Sequence, residues 1–248
     1  MEREADVSGI LSQTVEVIGA AGRAVLIYVL VLGLFNGIGG LAGLAQMDDN
    51  VFSVGIRSGV LNAEAFGLAA TLYQLLGLVL YVVAAFFLLR QMLVQIGRPA
   101  RGGNLLSYVA MSILAMIGLM IGFVLLVIPA LILLVRWSAA NGYLLSGDKG
   151  ITGALGASWE ATASRGWSIF GAGLVLWIGL AVLSSIVTGI VVGTGLTGSA
   201  DGLSPLFALA MTLSGLIQAF TNAASFAFSV AVFHLVAPAH TSVADVFE

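Results

Sequence analysis

Arg136 is the residue whose type and place most invite chemistry. From Leu105 to Val135 no side chain carries a charge; Arg136 follows at once, and Pro129 lies inside the same run. At about 1.5 Å per residue, Arg136 stands roughly 10 Å along a helix from Pro129, within a hydrocarbon layer where an arginine costs at least about 2.5 kcal/mol. Its guanidinium can donate to helix carbonyls or polar side chains, snorkel to the headgroups, or hold a lipid phosphate or another anionic ligand. No acidic residue falls within any apolar span, so the sequence offers no ion pair inside the bilayer.

A second constellation runs along the last apolar stretch. Ser214, Gln218, Thr221, Asn222, Ser225 and Ser229 recur every three or four residues, a polar stripe roughly 22 Å long on a helix. Such a stripe either hydrogen-bonds across to glycine-rich helix faces or, with Arg136 and Asn141, lines a cavity for an anionic headgroup. His234, His240 and Asp245 match no usual metal spacing, and absence of cysteine removes thiolate chemistry and disulfides. The expectation is therefore no metal, no cofactor and no catalytic residue.

The elements that must position these residues are set by composition. Hydrophobic residues make up 60% of the 248 and charged residues 8%, with a mean hydropathy of +1.10, against about 25% charged in a soluble domain. This composition predicts an integral membrane protein. Its nine basic residues are spread along the chain and the net charge is -3, which argues against nucleic acid as a partner. Apolar length predicts spans over about 24–45, 65–89, 105–128, 129–145, 168–192 and 205–236. The run 105–145 is too long for one crossing, and Pro129, lacking an amide hydrogen, is the expected helix break.

Orientation follows from arginine and lysine. Arg3, Arg23, Arg90, Arg98, Arg101, Lys149 and Arg165 fall on one side of these spans, while Asp48, Asp49, Arg57, Glu64 and Asp201 fall on the other. Both termini are expected to be cytoplasmic, behind an uncleaved N-terminus. Two further segments have helical apolar spacing without span length: Val7, Ile10, Leu11, Val15 and Ile18, and Ile151, Leu155, Trp159 and Thr162. Both read as interfacial helices, with Trp159 and Trp167 in the headgroup layer, Glu160 and Arg165 solvated, and Asp148 as a cap. Gly33 and Gly37, Gly39 and Gly43, Gly118 and Gly122, and Gly189 and Gly193 have the spacing that lets helices approach closely. Sliding the chain by 144 residues pairs Leu11 with Leu155, Glu16 with Glu160 and Gly22 with Gly166. That match reads equally as a repeat or as what any amphipathic helix ahead of a span would show.

The order of VSGILSQTVEVIG, LLVIPALILLVRWSAA and ITGALGASWEATASRGWSIF resembles a bacterial family of unknown function. It includes the YciC-like inner membrane proteins and the membrane domain attached to some glycerophosphoryl diester phosphodiesterases. The resemblance implies a multi-pass protein of the bacterial inner membrane. Ala130 stands where the family carries a glycine after its proline, and Asn141-Gly142 stands where a later proline is expected. No phosphodiesterase domain accompanies these segments, so that activity does not transfer.

Together these features predict an all-α, polytopic membrane helical bundle: an N-terminal interfacial helix in 1–23 and a six-helix transmembrane domain in 24–248 with an interfacial helix at 149–166. The functional reading is a non-enzymatic structural or accessory component, in contact with membrane lipids and with another membrane protein or a second copy of itself. The alternative is a transporter or lipid-handling protein that binds an anionic amphiphile through Arg136, Asn141, Gln218, Asn222 and Ser225.

Overall fold

The computed structural model describes residues 5–42, 44, 63–147, 149–193 and 205–238. Every regular element among them is helical: α1 (Val7–Ala20), α2 (Gly22–Leu41), α3 (Ala63–Gln95), α4 (Leu105–Leu125), α5 (Val127–Arg136), α6 (Ala140–Ser146), α7 (Ile151–Ala161), α8 (Gly166–Gly193) and α9 (Pro205–Val236). Among the described residues, six stretches are long and apolar enough to cross a membrane: Gly22–Gly39, Gly67–Gln95, Leu105–Leu125, Val127–Ser146, Ala163–Val187 and Thr212–Val236. The chain is a multi-pass membrane protein.

Pro129 does not mark the break. α4 ends at Leu125, Leu126 is extended at φ -175° and ψ 152°, and α5 begins at Val127. Pro129 therefore sits in the first turn of α5, where a missing amide hydrogen costs no hydrogen bond and the fixed φ suits the helix. The fourth predicted span is also not one helix. Residues Trp137–Ala139 form a turn that divides it into α5, of 10 residues, and α6, of 7.

The chain forms two compact units. One comprises residues 1–22, 89–174 and 225–248, and its core is built on α6, where Tyr143, Leu144, Leu145 and Ser146 are all buried. Close approach around α6 depends on glycine. A methyl on Gly142 would lie 2.1 Å from Phe233 Cγ, and one on Gly102 would lie 2.0 Å from the Gly147 backbone. α1 belongs to the same unit and is capped by Asp6, whose side chain accepts from the Gly9 amide at 2.7 Å. Its buried face is Ile10, Gln13, Thr14 and Val17. Of the apolar positions that predict this helix, Ile10 turns inward while Val7 and Val15 turn outward, and the polar Gln13 is buried beside Ile10.

The second unit comprises residues 23–88 and 175–224. The Gly33 and Gly37 pair does the work its spacing suggests. A methyl on either would fall within 3 Å of α9, at Leu216 or Thr212. Gly39 faces Tyr73, whose ring stacks on Phe35 and whose hydroxyl donates to the Phe35 carbonyl. Gly189 faces open space, so the Gly189 and Gly193 spacing has no such partner at its first glycine, and Gly43 lies outside the described residues.

Candidate functional site at the Arg136 break

α7 holds the interruption between α5 and α6 together. Breaking a helix frees carbonyls and amides, which need partners wherever they are buried away from water. Ser158 Oγ donates to the Arg136 carbonyl at 2.7 Å and accepts the Ala139 amide at 3.2 Å. Thr162 Oγ1 stands 3.3 Å from the same Arg136 oxygen while donating at 2.8 Å to the Ser158 carbonyl. From α9, Ser229 Oγ donates to the Ser138 carbonyl at 2.6 Å. Ser158 and Thr162 are fully buried and Ser229 nearly so, so each bond forms where water cannot replace it.

α7 packs one face inward against the break. Its buried face is Ala154, Leu155 and Ser158, continued by Thr162, while Trp159 is 41% exposed and Glu160 is exposed. The cue in the sequence is the small face Ala154, Ser158 and Thr162 at successive fourth positions, which admits a neighbouring backbone closely. Asp148, expected as its cap, lies outside the described residues. The residue before the helix is Gly150, with no side-chain cap bond.

With its carbonyl occupied, Arg136 keeps its guanidinium unspent. Cζ lies 5.3 Å from the Trp159 ring centroid, a contact worth about 0.5 to 2 kcal/mol. Nη1 is buried with no hydrogen-bond partner among the described residues. Other arginines of the same unit spend theirs on backbone. Arg90 donates to Ala100; Arg98 donates to Pro238 at 2.8 Å while lying over Phe233; Arg165 donates to Leu235 at 3.2 Å. Arg98 and Arg165 thus serve the open carbonyls that end α9.

Trp159 also lines an apolar groove of about 410 Å³ between α4 and α5, with Gly118, Gly122, Leu125, Pro129, Leu133 and Trp137. Gly118 lets the Trp137 ring pack closely against α4, since a methyl there would meet that ring at 2.4 Å. A hydrocarbon groove next to a guanidinium that lacks an acceptor suits a molecule with an apolar tail and an anionic head.

The other predicted site residues do not converge on Arg136. Asn141 is half-buried on α6, Asn222 is half-buried, and Gln218 and Ser225 are exposed. None of the four hydrogen-bonds to Arg136 Nη1, and from the α9 stripe Ser229 reaches the break. Trp167 is 87% exposed and Arg165 is exposed. Gln74 on α3 escaped the sequence reading. It is 7% exposed, with an Oε1 that meets no donor among the described residues. His240 and Asp245 lie outside the described residues, and among those described no three metal-ligating side chains gather. No family model, curated protein or solved structure matches the chain.

Proposed function

We propose that the protein is a lipid-handling membrane protein that binds an anionic, phosphate-bearing amphiphile at Arg136, with an acyl chain along the α4–α5 groove. The observation that carries this reading is the guanidinium itself: its Nη1 is buried and without an acceptor among the described residues, it lies over Trp159, and that same ring lines the groove. A phosphate would supply the missing acceptors in bidentate geometry. The reading needs no catalytic group and treats the site as one for binding or transfer. It also agrees with membership in the YciC-like family, which we propose on the resemblance of the three segments, and with a place in a bacterial inner membrane with cytoplasmic termini.

A second reading, an accessory component that docks on a partner, has its own support. Gln218 is exposed and Asn222 half-exposed on one side of α9, inside a stretch fit to cross a membrane, where polar side chains favour another helix over lipid. Extraction in mild detergent followed by lipid mass spectrometry, on wild type and on Arg136→Leu, separates the two. Loss of one anionic lipid class from the variant supports the amphiphile site. An unchanged lipid profile with a protein that co-purifies with both forms contradicts it and favours the accessory role.

A further inference from the structure

We infer that the α4–α5 hairpin enters the bilayer from one face, turns near its middle and returns to the same face, so that it occupies a single leaflet. Length and composition would let α4, and α5 taken together with α6, cross; the level at which α5 ends does not. Val135 Cγ1 stands 3.8 Å from where a Cβ on Gly166 would lie, and the Arg136 carbonyl is bound by Ser158 and approached by Thr162. The end of α5 therefore lies beside the start of α8. That level carries exposed Glu160, Arg165 and Trp167 and half-exposed Trp159, and such charges and indoles belong to the headgroup layer.

Two helices leave this level for the membrane. α8 has 28 residues, about 42 Å, ample for a hydrocarbon core of about 30 Å. α5 has 10, about 15 Å, and tilting it only reduces its depth. The other arm, α4, has 21 residues, and it is its last turns that pack here: Gly118 meets Trp137 just past α5, and Gly122 backs onto Ala130. Its start is held elsewhere: the Gly102 amide donates to the Leu145 carbonyl at 3.0 Å, and Gly103 lies against Leu144.

The tip supplies an independent argument. Phe123, Val124, Leu125, Leu126, Val127 and Ile128 are consecutive, apolar and each more than half exposed. A turn emerging on the far side would place six such side chains in headgroups or water, without the tryptophan, tyrosine, lysine or arginine that marks an interface. Inside the hydrocarbon the same six are at home. Two of the donors that a bend there would expose are removed, since the Leu126 amide bonds to the Gly122 carbonyl at 3.1 Å and Pro129 has no amide hydrogen.

This placement does not depend on what Arg136 binds. The chain has no cysteine, so single-cysteine variants of the full-length protein can be read directly. Leu126→Cys, Ser164→Cys and Ser199→Cys, the last between α8 and α9, are reconstituted into phosphatidylethanolamine and phosphatidylglycerol vesicles. An impermeant maleimide should label Ser164→Cys from one face and Ser199→Cys from the other, and Leu126→Cys from neither. A nitroxide at 126 should show the high oxygen and low nickel accessibility of the bilayer centre. Labelling of Leu126→Cys from the Ser199 face, or a headgroup-depth nitroxide signal there, would show a full crossing and overturn the inference. Labelling from the Ser164 face would overturn it by showing that the tip stays outside. Should Leu126→Cys not fold, Val124→Cys, at 85% exposed, gives the same readout.

Discussion

Two helix corners lie 144 residues apart in this chain. α1 starts at Val7 and α2 at Gly22; α7 starts at Ile151 and α8 at Gly166. Each first helix buries a hydroxyl at the matching position, Thr14 at 2% exposed and Ser158 at 0%. The hydroxyls are used differently. Thr14 Oγ1 donates to the Ile10 carbonyl of its own helix at 2.8 Å, a bond that replaces nothing and stabilises little. Ser158 turns outward to the Arg136 carbonyl and the Ala139 amide, which would otherwise be orphaned. α1 also has its own Asp6 cap, whereas α7 has none. The buried hydroxyl of one corner serves its own helix; that of the other serves the broken helix beside it. Equal amphipathic patterns can therefore serve unequal ends, and the neighbouring backbone decides which.

Substitutions can break or sharpen this contrast. The largest effect is expected at the broken helix itself: Gly142→Ala puts a methyl 2.1 Å from Phe233 Cγ. It should cost about 3 kcal/mol by overpacking, seen as a drop of about 6 °C or more in Tm by thermal unfolding in detergent. Ser158→Ala comes next. It orphans a buried amide and weakens the tie on a buried carbonyl, for about 1 to 3 kcal/mol by the same measurement. Thr14→Val, of similar shape, should cost under about 1 kcal/mol, since only a bond within one helix disappears. A loss as large as that of Ser158→Ala would erase the distinction between the corners. Smallest of all, Gly19→Ala near the end of α1 meets nothing within 4 Å and should leave Tm unchanged or raise it slightly through helix propensity, by up to about 1 kcal/mol.

Much of the fold was legible because apolar length and periodicity are strong signals in a membrane chain. The overlong run 105–145 announced a break, but proline misplaced it by pointing to itself. Proline is tolerated just inside a helix start, so it marks the beginning of α5 and leaves the turn to Leu126. The second interruption, at Trp137–Ala139, had no proline or paired glycines to announce it, because its groups are satisfied by side chains distant in sequence, Ser158 and Ser229. Arg136 was visible at once as a costly residue without a counter-charge. Its neighbour Trp159 was visible only as a residue of the headgroup layer, since periodicity within α7 cannot show what another helix brings to its flank. The polar stripe of α9 was real as a pattern yet diverse in use: Ser229 serves the break, and Gln218 faces outward.

The central claim is that α7 satisfies the backbone at Arg136 and leaves its guanidinium for an anionic headgroup. Native mass spectrometry of the detergent-released protein, titrated with phosphatidic acid and in parallel with phosphatidylcholine, tests it most directly. The wild type should retain phosphatidic acid preferentially, and Arg136→Leu should weaken that retention by about 10-fold or more, as expected for loss of a charge-assisted bond of about 1.5 to 3 kcal/mol, with phosphatidylcholine unaffected. Equal retention of phosphatidic acid by the wild type and by Arg136→Leu would contradict the account.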